Sequence, residues 1–399
     1  MALRLYLRKG REIPIVRGHP WVFSGAVGRQ EGTPEDGHAE VYADDGRPLG
    51  AGTYHPESEI RARVFSVQTA DRLTGAEIRR RLESARTLRR LAAMDAPAGA
   101  CRAVFSESDG LPGLIVDRFA DTLVVQFLTA WWDVARRDAA VAALRDLWSP
   151  ATVWERSDAE VRQSEGLEPR KGLIWGREVT APAVFEEDGL RFVSDVIGGH
   201  KTGFYLDQRA SRASVAAWVR RSRAARVLDA FAYTGAFSVC ALRAGASQVV
   251  ALDSAHTVRD LALQHVTMNG LPFERFRFEV TDAFRGLREM HARGERFDLI
   301  ILDPPRLAPR RHQVEKALRA YKDVNLSACR MLNAGGLLVT FCCSGLVERE
   351  LFGKVIEGAA RDAGRRMRVV ESLFQPPDHP ILLGFSESEY LKGFVLMAE

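Results

Sequence analysis

No stretch of this 399-residue chain approaches the roughly 18 consecutive apolar residues that a membrane-crossing helix requires, so a spanning protein is not expected. The N-terminal stretch sets Arg4, Arg8, Lys9 and Arg11 among apolar residues. It lacks both the apolar core and the small-residue cleavage site of a secretion signal, so export is not expected. Cysteine is scarce: five residues, an odd number without paired spacing, argue against a disulfide framework and against a zinc site. A reducing cytoplasm suits them, and no metal is expected. Internal repeats and low-complexity tracts are missing too, which removes solenoids and disordered linkers from consideration. Neither sign of charge dominates, since 56 Lys and Arg against 52 Asp and Glu leave a formal net charge of +4.

What is present is an ordinary globular composition, 46% hydrophobic and 27% charged, in a chain long enough for two or three domains. The basic residues are unevenly placed. Residues 1 to 30 carry Arg4, Arg8, Lys9, Arg11, Arg17 and Arg29 against Glu12 alone, and residues 209 to 226 carry six arginines and no acid. A third cluster joins Arg306, Arg310, Arg311, Lys316, Arg319 and Lys322, offset by Glu315 and Asp323. Any one such run reads as a solvated helix face; three together favour a polyanionic partner.

Short β-like segments separated by Gly, Pro and Asp turns fill residues 4 to 67, the pattern of a small barrel-like domain expected over residues 1–70. Within it Trp21 and Phe23 alternate, which suits either the inward face of a barrel or an RNA-stacking surface. Residues 74 to 94 space Ile78, Leu82, Ala85, Leu88 and Leu91 at three- and four-residue steps, the stripe of an amphipathic helix. Strands around 103 to 128, a helix over 132 to 148 and a strand at Thr152 make a central α/β domain expected over 71–184, closing in an irregular stretch from 163 to 182. From 185 to 399 strands and helices alternate regularly, as a parallel, doubly wound sheet requires, and ligands in such sheets bind beyond the carboxyl ends of the strands.

Acids recur at those ends. Asp229 precedes the turn Phe231-Ala232-Tyr233-Thr234-Gly235, where Gly235 allows close backbone approach at the start of a helix; this is not the three-glycine fingerprint of a dinucleotide binder. Asp253 follows Asp229 by 24 positions, about where an acid that holds ribose hydroxyls belongs. Asp282 ends the third strand region, suited to an adenine edge, and Asp303-Pro304-Pro305 ends the fourth. One Asp at a strand tip is an ordinary turn residue; four at successive tips point to a site.

Residues 199 to 209 (GHKTGFYLDQR), residues 231 to 237 (FAYTGAF), Asp303-Pro304-Pro305 and Phe341-Cys342-Cys343-Ser344-Gly345 together resemble the RlmI-type 23S ribosomal RNA methyltransferases over nearly the whole length. The resemblance implies a PUA domain around Gly18 to Phe23, a central α/β domain, and a Rossmann-like class I methyltransferase domain using S-adenosylmethionine. It would direct Arg209 and the backbone near Phe231, Tyr233 and Gly235 to the methionine part of the cofactor, with Asp229 close by, Asp253 to the ribose and Asp282 to the adenine, and count Asp303 among the cofactor-binding residues as well. It also implies a cytoplasmic enzyme forming 5-methylcytosine in large-subunit ribosomal RNA, with Cys343 as nucleophile and Asp303 on the cytosine's amino edge. A homodimer is allowed and not required.

Two departures from the family pattern stand out. Cys342 occupies a position where Ser is usual, so choosing between Cys342 and Cys343 relies on neighbours along a strand pointing to opposite faces. Arg306 and Leu307 replace a usual Lys and aromatic. Cys101, Cys240 and Cys329 read as packing residues. His379 reads as cleft lining or plain loop, and Lys201 with Thr202 as cofactor positioning or hairpin closure. An amino-group methyltransferase acting on guanine N2 would need no cysteine, and a non-catalytic RNA-binding assembly factor could keep the fold without the acids.

Overall fold

The computed structural model describes residues 2–34, 36–308 and 310–399. The chain forms two compact units, each assembled from separate stretches. Met1–Glu186, Ser194–Leu206 and Pro377–Ser388 make the first, and Glu187–Val193, Asp207–Pro376 and Glu389–Glu399 the second. Among the described residues no helix is long and apolar enough to cross a membrane.

The first unit begins with a six-stranded sheet built from Arg4–Leu7, Trp21–Phe23, Val27–Glu31, His38–Tyr42, Pro48–Tyr54 and Ile60–Ser66. Alternation buries Leu5, Leu7 and Val41 and turns Arg4 outward, where it meets Glu40 at 3.3 Å. Trp21 and Phe23 do not form the inward face: Val22 between them is the buried residue, while Phe23 is 46% exposed. Trp21 instead packs on Phe385 with ring centroids 4.8 Å apart and donates its indole N–H to Glu107 at 2.9 Å.

A five-stranded sheet follows, in the order Arg170–Gly176, Thr152–Ser157, Thr122–Phe127, Leu114–Phe119, Ala100–Phe105. Its first member lies inside the stretch expected to be irregular, because its side chains are mostly exposed and carry no hydrophobic alternation. The helix Gly75–Leu91 starts where Thr74 accepts the N–H of Glu77. Its apolar stripe is shorter than expected, with Ile78, Leu82 and Ala85 buried and Leu91 82% exposed. Arg89 takes the remaining inward position, forming a bidentate pair with Asp109 at 2.7 and 2.8 Å and donating to the Asp378 carbonyl.

The second unit holds the doubly wound sheet. Its strands are β1 (Arg226–Ala230), β2 (Gln248–Asp253), β3 (Phe276–Val280), β4 (Phe297–Leu302), β5 (Leu332–Cys342), β6 (Met367–Phe374) and β7 (Lys392–Ala398). They lie in the order β3-β2-β1-β4-β5-β7-β6, with β7 antiparallel to both of its neighbours and the first five strands parallel. The helices are α1 (Arg209–Ser222), α2 (Ala236–Arg243), α3 (His256–Met268), α4 (Ala283–Ala292), α5 (Val314–Met331) and α6 (Arg349–Asp362). Strands covered on both faces need continuous apolar runs, and Val227, Leu228, Leu299, Ile300, Ile301, Leu302, Leu338 and Val339 are all fully buried. The sheet order reverses at β1, so the space beyond the carboxyl ends of β1 and β4 is the crevice where such folds bind ligands.

Candidate cofactor and acceptor site

The acids expected at the strand ends do gather there, in different states. Asp229, the penultimate residue of β1, is fully buried; its Oδ2 accepts the N–H of Ser238 at 3.0 Å and the Ser238 hydroxyl at 2.6 Å. Its Oδ1 has no hydrogen-bond partner. Burial pushes its pKa up to about 7, with the charge of Asp253 adding to the rise and the Ser238 bonds opposing it. Asp253 closes β2 and accepts two backbone N–H groups, from Tyr233 at 2.9 Å and Ala255 at 3.2 Å. Asp282 is exposed and caps α4 through the N–H of Arg285 at 2.9 Å. Asp303 follows β4 directly, half-buried, its N–H 3.4 Å from the Ala230 carbonyl.

The turn between β1 and α2 has an unusual backbone. Phe231, Tyr233 and Gly235 have φ of 65°, 46° and 70°, a conformation costly for the two side-chain-bearing residues and stable only when its surroundings fix it. Those surroundings are visible. Asp253 holds the Tyr233 N–H, the Phe231 ring lies edge-on to Phe284 at 5.5 Å, and His265 braces the far side. One ring nitrogen of His265 is 2.8 Å from the Thr234 carbonyl and the other accepts the Val193 N–H at 2.9 Å. Burial pulls the His265 pKa down to about 4, which leaves the ring neutral, as those two bonds require. Gly235 is needed for its conformation and for room, since a Cβ there would lie 3.0 Å from the Ala262 Cβ.

The two adjacent cysteines differ sharply. Cys342, the last residue of β5, is fully buried in the core, whereas Cys343 is half-buried in the turn beyond, its Sγ 3.7 Å from the Pro304 carbonyl. Ser344 then ties this turn to the loop after β4. Its hydroxyl accepts the Ala308 N–H at 3.2 Å and lies 3.3 Å from the Tyr321 hydroxyl, while its carbonyl accepts from Lys392 Nζ at 3.0 Å. Cys101, Cys240 and Cys329 are buried, and burial pushes each thiol up to about 12, so they are inert packing residues.

Other expected residues have partners of their own within the fold. Arg209 opens α1 and shares Glu187 with the fully buried Arg212, at 3.2 Å against 2.6 Å. Burial alone would raise the Glu187 pKa, but the two guanidinium groups hold it below the usual carboxylate range. Part of the 209 to 226 cluster is thus engaged in place, as is Arg226 with Glu295, and the third cluster pairs Arg319 with Glu315 and Lys322 with Asp362. Arg306, Arg310 and Arg311 are exposed. Thr202 belongs to the first unit, buried with its hydroxyl on Asp117, and His379 is buried there against Asp378 and Phe105. His265 and Lys392 escaped sequence reasoning. The only available signal for either was a polar residue at a core-facing position.

A seven-stranded sheet in this order, with acids at four successive strand ends and a left-handed turn after β1, defines a class I methyltransferase, and a family model for S-adenosylmethionine-dependent methyltransferases matches residues 173–387. A second model, for PUA-like domains, matches residues 5–67. Ribosomal RNA large subunit methyltransferase I of Aeromonas salmonicida is 43% identical over 399 residues, covering 100% of both chains. The Escherichia coli protein of that name is 42% identical over 395 residues, 99% of each chain. The chain belongs to the ribosomal RNA large subunit methyltransferase I family and is an S-adenosylmethionine-dependent methyltransferase. In fold it is similar to a methyltransferase candidate solved in complex with SAH, with a TM-score of 0.85, 22% identity and 100% of both chains covered.

Proposed function

We propose that the protein methylates carbon 5 of a cytosine in large-subunit ribosomal RNA, in the cytoplasm, through a covalent adduct between Cys343 and carbon 6 of the base. The observation that carries the reading is the contrast between the two cysteines: Cys342 is sealed in the core, and Cys343 reaches the half-open turn against the Pro304 carbonyl. Relatives whose names specify ribosomal RNA, matching end to end at 42–43% identity, support the substrate class.

The residues fit the cofactor. Backbone at positive φ from Phe231 to Gly235 lets a ligand approach the main chain closely, and Asp229 keeps one buried oxygen without a partner. The acids at the strand ends suit a cationic sulfonium. In this reading Arg209 and the turn at Phe231, Tyr233 and Gly235 hold the methionine part, with Asp229 behind them. Asp253 takes the ribose hydroxyls and Asp282 the adenine. When bound, S-adenosylmethionine supplies an electrophilic methyl group.

The chain's own work is to make carbon 5 nucleophilic. Carbon 5 of cytosine is unreactive until the Cys343 thiolate adds to carbon 6, which breaks the 5,6 double bond and places electron density on carbon 5. Asp303 holds the amino edge and supports protonation of the ring as the adduct forms. Once carbon 5 is methylated, loss of its proton restores the double bond and expels the thiolate. Both carbons must be reached, so the base leaves its stack, and Pro304 and Pro305 give it a stiff rest.

Cys343→Ala tests this directly. Mass spectrometry of ribosomal RNA nucleosides from cells carrying wild-type or variant gene should show one 5-methylcytosine disappear. Retained methylation in the variant, on a guanine amino group for example, would replace this mechanism with direct transfer.

A further inference from the structure

Lys392 is the most unusual charged residue of the second unit. It opens β7, is 3% exposed, and stands opposite Cys342 on β5 and Phe374 on β6 across the antiparallel ladders. Directly opposed side chains share a sheet face, so Lys392 lies on the Cys342 side of β5. No carboxylate lies within ion-pair distance of it among the described residues, and its hydrogen-bond acceptor is the Ser344 carbonyl at 3.0 Å. A buried ammonium without a counter-ion is expensive, and that cost favours a neighbour able to become negative.

Several ionisable groups surround it. Cys342 and Cys343 come from β5 and the turn beyond it, Glu389 from the segment before β7, and Arg349 from α6; Tyr321 of α5 reaches the other side of Ser344. Arg349 is committed to the Gly393 and Leu373 carbonyls, at 3.2 and 2.9 Å. Burial lowers the Lys392 pKa and is opposed by Cys342, Glu389 and Cys343 in that order. Burial likewise raises that of Tyr321, with both cysteines contributing, so the two thiols are felt from either side of the same turn. Of the two, only Cys343 is open to solvent.

We propose that Lys392 is a positioning residue for the methyl-transfer reaction: its ammonium group clamps the Ser344 carbonyl, fixing the turn that carries Cys343, and supplies the positive charge against which the Cys343 thiolate forms. The proposal rests on Cys343 being the nucleophile. In this role Lys392 need touch neither base nor cofactor. It acts on the sulfur through the adjacent residue and through charge, as a cation beside a thiol favours the ionised form.

The test uses the full-length protein as wild type, Lys392→Gln, Lys392→Arg and Cys343→Ala. The rate of iodoacetamide alkylation at Cys343, read by peptide mass spectrometry, is followed from pH 5.5 to pH 9.5. Wild type should alkylate with a midpoint clearly below that of an ordinary thiol, about 8.5. The Gln variant should shift that midpoint upward by about one unit, roughly a tenfold loss of thiolate at neutral pH. Its kcat should fall in step while KM for RNA stays within about twofold, and Arg should restore most of the loss. Calorimetric binding of S-adenosylmethionine reports whether each variant is folded. A wild-type midpoint at or above the ordinary thiol value overturns the proposal even if no variant folds. An unshifted Gln variant that binds the cofactor normally overturns it as well. The parent reading fails separately, if Cys343→Ala still methylates; an inactive Cys343→Ala beside an unaffected Lys392→Gln removes only the role of Lys392.

Discussion

Replacing Asp229 with Asn should flatten the dependence of stability on pH between pH 5 and pH 8. The carboxyl group is fully buried with a pKa pushed up to about 7, against about 3.8 in the unfolded chain. A group raised in this way contributes stability that is fully present below the unfolded value and lost as pH rises through the folded one. Between pH 5 and pH 8 the loss amounts to roughly 2–3 kcal/mol. At about 2–4 °C per kcal/mol for a unit of this size, that is roughly 5–10 °C in melting temperature. The amide oxygen of Asn can still accept from the Ser238 N–H and hydroxyl, and its NH2 occupies the position of the unpartnered oxygen. The absolute wild-type curve is a poor readout, because His265 titrates in the opposite sense over an overlapping range. The difference between variant and wild type isolates Asp229: the Asp229→Asn protein should gain on wild type steadily from pH 5 to pH 8, measured by thermal denaturation at fixed ionic strength. Parallel curves would mean that Asp229 is ionised in the folded protein at pH 5, and the reasoning from burial would be refuted.

Three further outcomes are expected. His265 is neutral with a pKa of about 4, below its unfolded value, so its stability is present above about pH 6.5 and lost as pH falls toward 4; His265→Gln should flatten that acid limb by about 3 kcal/mol in pH-dependent denaturation. Gly235→Ala puts a side chain at φ 70° and a Cβ 3.0 Å from Ala262, at a cost of about 1–2 kcal/mol. Calorimetry should show weaker S-adenosylmethionine binding, and unchanged affinity would argue against the turn as the cofactor's seat. Cys342→Ala removes a buried sulfur from the core, costing about 1 kcal/mol, and methylation kinetics should stay within about twofold; loss of activity there would move the nucleophile from Cys343 to Cys342.

The alternating elements of the second unit were legible because a parallel sheet buried on both faces must be written in continuous apolar strands, and their carboxyl ends carried the acids. The burial of Cys342 against the half-exposure of Cys343 follows from where the apolar run Leu337-Leu338-Val339 ends, which sequence could only narrow. Pairings between distant positions could not be read. Glu187 meets Arg209 and Arg212 from more than twenty residues away, which takes two arginines of that basic run into a buried ion pair and leaves Arg220, Arg221 and Arg223 exposed. Arg89 displaced leucines from a helix stripe because Asp109 and the Asp378 carbonyl were waiting for it. Trp21 and Phe23 alternate as core residues do, yet the burial falls on Val22, a difference set by Phe385 more than three hundred positions along the chain. Lys392 carried no motif: its meaning comes from lying across a ladder from Cys342.

The division of the chain has a practical result for anyone wishing to cut it. The backbone crosses between the two units five times, after residues 186, 193, 206, 376 and 388. No single scission therefore releases either half whole. A product ending at residue 376 would forfeit β7, leaving β6 without the strand that joins it to β5, and would also strip the first half of Pro377–Ser388. Modular exchange of the first unit for another, by an engineer or by recombination, must carry the Ser194–Leu206 and Pro377–Ser388 inserts along with the N-terminal portion.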